Sequence, residues 1–126
     1  MGKFVIFSGG KGLRFHLCSA NGETIATSEV YTTMASCHSG IESVRRSSGK
    51  AKLEDLVRHP EKKVTNPKFQ VFVDKAGAFR FRLRARNGEI IACSQGYSTL
   101  DACMSGIDSV RNNAPDALIE NCSAGG

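Results

Sequence analysis

The chain has 126 residues, 40% of them hydrophobic and 23% charged, which excludes a disordered polymer and suits one buried core. The net charge of +5 permits attraction to polyanions without requiring it; no run approaches the ~20 apolar residues that cross a bilayer, and the N-terminal apolar stretch is too short for a signal peptide. Cys18, Cys37, Cys93, Cys103 and Cys122 form no CxxC pair and have no histidine at ligand spacing, which argues against a disulfide framework or a metal site and for a soluble protein in a reducing cytoplasm.

In chain order, Phe4-Val5-Ile6-Phe7 reads as a strand and Ser8-Gly9-Gly10-Lys11-Gly12 as a hairpin connection. That loop superficially resembles a phosphate cradle, but a P-loop lysine is followed by Ser or Thr at a helix start, and this one leads into a strand. Leu13 to Leu17 forms that second strand. Asn21-Gly22 then predicts a tight type I′ turn, in which both central residues need positive φ, and Glu23 to Ser28 forms a third strand. Met34, Cys37, Ile41 and Val44 recur at helical spacing until Ser47-Ser48-Gly49 ends the helix. Ala51 to Asp55 is a candidate fourth strand, and residues 58–67 make a polar, proline-bounded connection.

The same series then repeats. Aligning Asn21-Gly22-Glu23 with Asn87-Gly88-Glu89 gives an offset of 66, which carries an ungapped match from Val5/Val71 to Glu54/Glu120 with about two positions in five identical. Arg14/Arg80, Phe15/Phe81, Tyr31/Tyr97, Cys37/Cys103, Gly40/Gly106 and Arg45/Arg111 are among them. The second copy reads as Phe69 to Val73, the turn Asp74-Lys75-Ala76-Gly77, the alternating strand from Phe79 to Arg86, the Asn87-Gly88 turn and a strand from Glu89 to Ser94. Its helix opens at Ser98-Thr99-Leu100-Asp101, with Ser98 as cap and Asp101 reaching back to it, runs through Leu100, Cys103, Ile107 and Val110, and stops at Pro115. Ala117 to Asn121 is the last strand. Gly40 and Gly106 each cost about 1 kcal/mol inside a helix, and their retention in both copies predicts close packing of the helix backbone on the sheet or on the other helix.

Three strands and a helix bury little core alone, so both copies are expected in one domain: modules at 3–57 and 68–122, the connection at 58–67 and a flexible tail at 123–126. Phe79-Arg80-Phe81-Arg82-Leu83, Asn87-Gly88-Glu89, Ile91-Ala92-Cys93-Ser94 before Tyr97, and Gly106-Ile107-Asp108-Ser109-Val110, with their counterparts in the first copy, resemble the YegP-like bacterial proteins. The resemblance covers nearly the whole chain. It implies an α+β fold of two β-β-β-α-β modules in one mainly antiparallel sheet, two helices on one face, and last strands exchanged between modules. It implies no activity, cofactor or partner.

Arg80, Arg82, Arg84 and Arg86 alternate with apolar residues and so should share the sheet face opposite the helices, with Arg14 the repeat equivalent of Arg80. Guanidinium groups ~7 Å apart along a strand suit successive phosphates, unless Asp74, Glu89 or Glu120 neutralises them. His16, His38 and His59 are scattered, and Cys37 and Cys103 belong to apolar stripes, so no catalytic set, metal or cofactor is expected. The expectation is a non-enzymatic, monomeric module that binds a protein or a polyanion, nucleic acid included, through the arginine face or an open sheet edge, away from membranes.

Overall fold

The computed structural model describes residues 2–123; beyond Ser123 the expected tail lies outside them. The first module supplies β1 (Lys3–Gly9), β2 (Gly12–Cys18), β3 (Thr24–Thr27), α1 (Met34–Lys50) and β4 (Lys52–Asp55). The second supplies β5 (Lys68–Val73), β6 (Phe79–Arg84), β7 (Ile90–Cys93), α2 (Leu100–Asn113) and β8 (Leu118–Asn121). One sheet holds all eight strands in the order β4-β5-β6-β7-β3-β2-β1-β8. The last strands are exchanged: β4 lies beside β5 and β8 beside β1. Both exchanged strands pair parallel, whereas the five inner pairings are antiparallel, so the sheet is mixed. A parallel neighbour cannot be reached by a tight hairpin, which accounts for the long segment 56–67 between β4 and β5.

Alternation explains the core. Phe4, Ile6, Phe15 and Leu17 in one half, and Phe69, Val71, Phe81 and Leu83 in the other, are buried from one sheet face. Cys37, Ile41 and Val44 of α1 and Cys103, Ile107 and Val110 of α2 cover them in a single cluster. Each helix touches strands of both modules. At about 2–3 kcal/mol for each fully buried phenylalanine, the four buried rings alone supply much of the drive to keep the halves together.

These pairings correct the repeat alignment at its first strand. Phe4 pairs with Leu17 and Phe69 with Leu83, so β1 and β5 correspond at an offset of 65, and Val5 matches Gln70 instead of Val71. The loop lengths explain the slip. Gly9 pairs with Gly12 across a two-residue turn with Gly10 at φ 62°, while Val73 pairs with Phe79 around a longer loop with Gly77 at φ 85°. With a side-chain period of two, an ungapped register would have turned one strand's apolar face outward.

The Asn-Gly turns also differ from expectation. Only Gly22 and Gly88 have positive φ; neither asparagine does. Gly22 N–H donates to Ser19 O and Ser19 N–H to Glu23 O, with Gly88, Ala85 and Glu89 repeating the set. The result is a three-residue loop with glycine at the left-handed position, and Asn21 and Asn87 accept from the Glu23 and Glu89 amides through Oδ1. A register shift follows at Leu17/Cys18 and at Leu83/Arg84.

Helix ends bring two further corrections. Thr99, not Ser98, caps α2, accepting from Ala102 N–H at 3.0 Å; the third helical residue is then an alanine, and no capping box closes. The box forms in α1 between Thr33 and Ser36. Serines and a glycine do not stop α1, which continues through Ser47, Ser48 and Gly49 to Lys50, whereas α2 ends just before Pro115. No described helix is long and apolar enough to cross a membrane.

Candidate anion-binding face

A repeated aromatic column anchors the face. Phe81 meets Phe69 edge-on at 5.9 Å and stacks on Tyr97 at 6.4 Å; Phe15 does the same with Phe4 at 5.7 Å and Tyr31 at 6.1 Å. The tyrosine ring explains the helix glycine. A Cβ on Gly106 would lie 2.9 Å from Tyr97 Cζ, and one on Gly40 2.6 Å from Tyr31 Cζ. A side chain, and not sheet or helix backbone, occupies that space. Arg111 lies over Phe69 and donates to Ser48 O of α1 at 3.0 Å, while Arg45 lies over Phe4 and donates to Ala117 O at 2.7 Å. These repeated arginines clamp one module to the other, a role their helical positions did not disclose.

On the opposite face, pairing traces one row across the sheet: Glu120, Val5, His16, Thr27, Cys93, Arg82, Gln70, Glu54. The second module's end of this row is a built network. Glu54, 2% exposed, accepts from Gln70 Nε2 at 2.6 Å, Lys68 Nζ at 2.9 Å and Val64 N–H at 2.9 Å. Burial by itself would raise the Glu54 carboxyl, but these bonds from Gln70, Lys68 and Val64 outweigh it and hold it at about 2. Gln70 turns its oxygen the other way and accepts from Arg82 Nε at 2.8 Å and Arg84 Nε at 2.6 Å. Two guanidinium groups therefore converge on one neutral oxygen. Burial and then the like charge of Arg84 lower the Arg82 pKa, the sign of cations under-compensated at close range.

The other candidates divide. Arg80 is paired with Asp74, Nε to Oδ2 at 2.5 Å, so it is neutralised by one of the acids considered above. Glu120 instead pairs with Lys3 at the far edge. Arg14, the equivalent of Arg80, is exposed and has no acid in its own hairpin, where Gly9 and Lys11 stand near the place of Asp74. Arg14 and Arg80 face a shared depression of about 450 Å³ at the β3–β7 junction, with Glu29 also on its wall. Arg86 leaves the stripe: β6 ends at Arg84, and the register shift and turn carry Arg86 round to the side of α1. Gln70 and Glu54, which organise the site, carried no signal in the alternating arginine pattern; the corrected register is what places them there.

The histidines and thiols are not gathered. His16 packs on Phe7 at 4.9 Å, and burial lowers its pKa. Burial raises the Cys37 thiol and pushes Cys103 up to about 11. No group of three potential metal-binding side chains occurs among the described residues.

Comparison with known proteins agrees with this architecture. A family described as a domain of unknown function, DUF1508, matches twice, at residues 10–55 and 74–121. A UPF0339 protein of Methanosarcina acetivorans is 60% identical over 52 residues, which are 41% of this chain and 90% of that protein, so the relative holds a single module. The UPF0339 protein YegP of Escherichia coli O157:H7 is 38% identical over 108 residues, covering 86% of this chain and 84% of its own. The solution structure of yegP from E. coli superposes with a TM-score of 0.79 at 31% identity, covering 99% of this chain and 96% of that one. Two family matches that together cover most of the chain, with a relative and a solved structure alike over most of its length, lead to one conclusion: the chain is a member of the DUF1508 family and is similar to the UPF0339 protein YegP.

Proposed function

We propose that the protein is a non-enzymatic binding module that holds a phosphate-bearing polyanion on its outer sheet face, acting as a monomer in the cytoplasm. One observation carries the reading: Arg82 and Arg84 meet on the neutral oxygen of Gln70, so their charge is positioned but not cancelled. Because both Nε atoms reach the same oxygen, the two guanidinium groups form one concentrated positive spot that suits the oxygens of a phosphate group. Arg14 extends the positive surface across the module junction, while the Asp74-paired Arg80 contributes least. Free thiols at all five cysteines support a reducing compartment. The raised pKa values of Cys37 and Cys103 support a role other than thiolate catalysis.

The test is anisotropy of a labelled single-stranded oligonucleotide at increasing salt. Three cations engaged with phosphates give a slope of log K against log salt of about −2. The R82A/R84A double variant should lose most of that slope and about tenfold or more in affinity. No binding at low salt by a folded protein, or an unchanged slope in the double variant, would remove the proposal.

A further inference from the structure

A second group of cations lies away from the outer face, where α1 of the first module meets the β6–β7 turn of the second. Arg46 and Lys50 from the helix and Arg86 from the turn line a concavity of about 650 Å³, within the usual size of small-ligand sites. None of the three has a hydrogen-bond or ion-pair partner among the described residues, and no carboxylate lines the cavity. The remaining polar lining can also donate. Ser43 and Ser47 contribute hydroxyls, and Asn87 uses its Oδ1 on the Glu89 amide, which leaves its NH₂ for a ligand. Ser47 is 7% exposed, and its hydroxyl, with no partner among the described residues, is open to the cavity and can donate to a ligand there.

The first-module equivalent of the cavity supplies a control within the same chain. Arg46, Lys50 and Arg86 correspond there to Asn112, Asp116 and Ala20, so the equivalent positions carry no cation and one acid, with Asp116 lying past the end of α2. Placing cations near a helix C-terminus favours the dipole and could account for Lys50 alone. It does not account for Arg86, which comes from a turn of the other module.

We infer that this cavity is a site for a small ligand bearing at least two phosphoryl groups, gripped by Arg46, Lys50 and Arg86 with Ser47 donating from the wall. A free polyphosphate and the phosphorylated end of a nucleotide share that chemistry. Amide chemical shifts of the full chain would be followed during titration with inorganic tripolyphosphate, and separately with a 5′-phosphorylated and a 5′-hydroxyl dinucleotide. Shifts confined to residues 43–50 and 85–87, with affinity reduced about tenfold in both R86A and K50A, are expected. Binding of the 5′-phosphorylated dinucleotide would assign the site to a nucleotide end, and binding of tripolyphosphate alone to a free polyphosphate. R82A/R84A should leave these shifts unchanged, which separates this site from the outer-face reading. Shifts spread over all surface cations, shifts lost in R82A/R84A but kept in R86A, or no shifts at millimolar probe with the fold intact would each overturn the inference.

Discussion

The two halves of the sheet share a backbone plan and differ in how each end is finished. At the second module's edge, segment 56–67 returns to start β5 and lays the Val64 amide on Glu54, which becomes buried and links through Gln70 to Arg82 and Arg84. At the other edge no segment among the described residues returns. Glu120, the repeat equivalent of Glu54, stays in water with Lys3, and Val5 and His16 stand where the second half has Gln70 and Arg82. Fusion of two modules needs one connection, and that connection can cover only one of two equivalent edges. Chemistry has accumulated on the covered side.

The largest expected effect follows from this contrast. Glu54→Ala would strand Lys68, Gln70 and the Val64 amide, costing about 3–5 kcal/mol in urea unfolding, while Glu120→Ala should leave the midpoint unmoved. Equal effects at the two positions would break the comparison. A pH series sharpens it. Because the folded Glu54 carboxyl is held at about 2, below its ordinary 4.5, its contribution is complete above about pH 4.5 and disappears as pH falls toward 2. Wild-type stability should therefore drop through that window, and the drop should flatten in Glu54→Gln; an unchanged acid profile would place the sensitivity elsewhere.

Features that both halves share should respond alike. Gly40→Ala and Gly106→Ala each push a Cβ into a tyrosine ring and should cost about 1–3 kcal/mol, whereas Gly49→Ala, with open space around it, should gain about 0.5 kcal/mol. Thermal or urea unfolding reads all three, and a neutral Gly106→Ala would mean that Tyr97 moves freely. The smallest effect concerns the hairpins. Asp74→Asn should release Arg80 to resemble Arg14 and raise oligonucleotide affinity about two- to threefold at low salt; weaker binding would count against the outer face.

Much of the fold was legible because its signals are local. Alternation in Phe79 to Arg84 and the helical stripe from Cys103 to Val110 report which side of an element is dry, and dryness depends on near neighbours in sequence. The arginine stripe was legible as a pattern but not as a site. Whether a guanidinium is cancelled depends on residues several positions or a whole strand away: Asp74 for Arg80, Gln70 for Arg82 and Arg84, and α1 for Arg86.

By itself, then, the sequence determined a duplicated module of three strands and a helix, the dry face of β6 and of both helices, and the shared interior. Tertiary structure alone decided the one-residue slip between β1 and β5, the parallel docking of the exchanged strands and the pairing of each arginine. The physical reason is range: hydrophobic periodicity is written along a single element, whereas loop closure and charge compensation are settled between elements that meet only after the chain has folded.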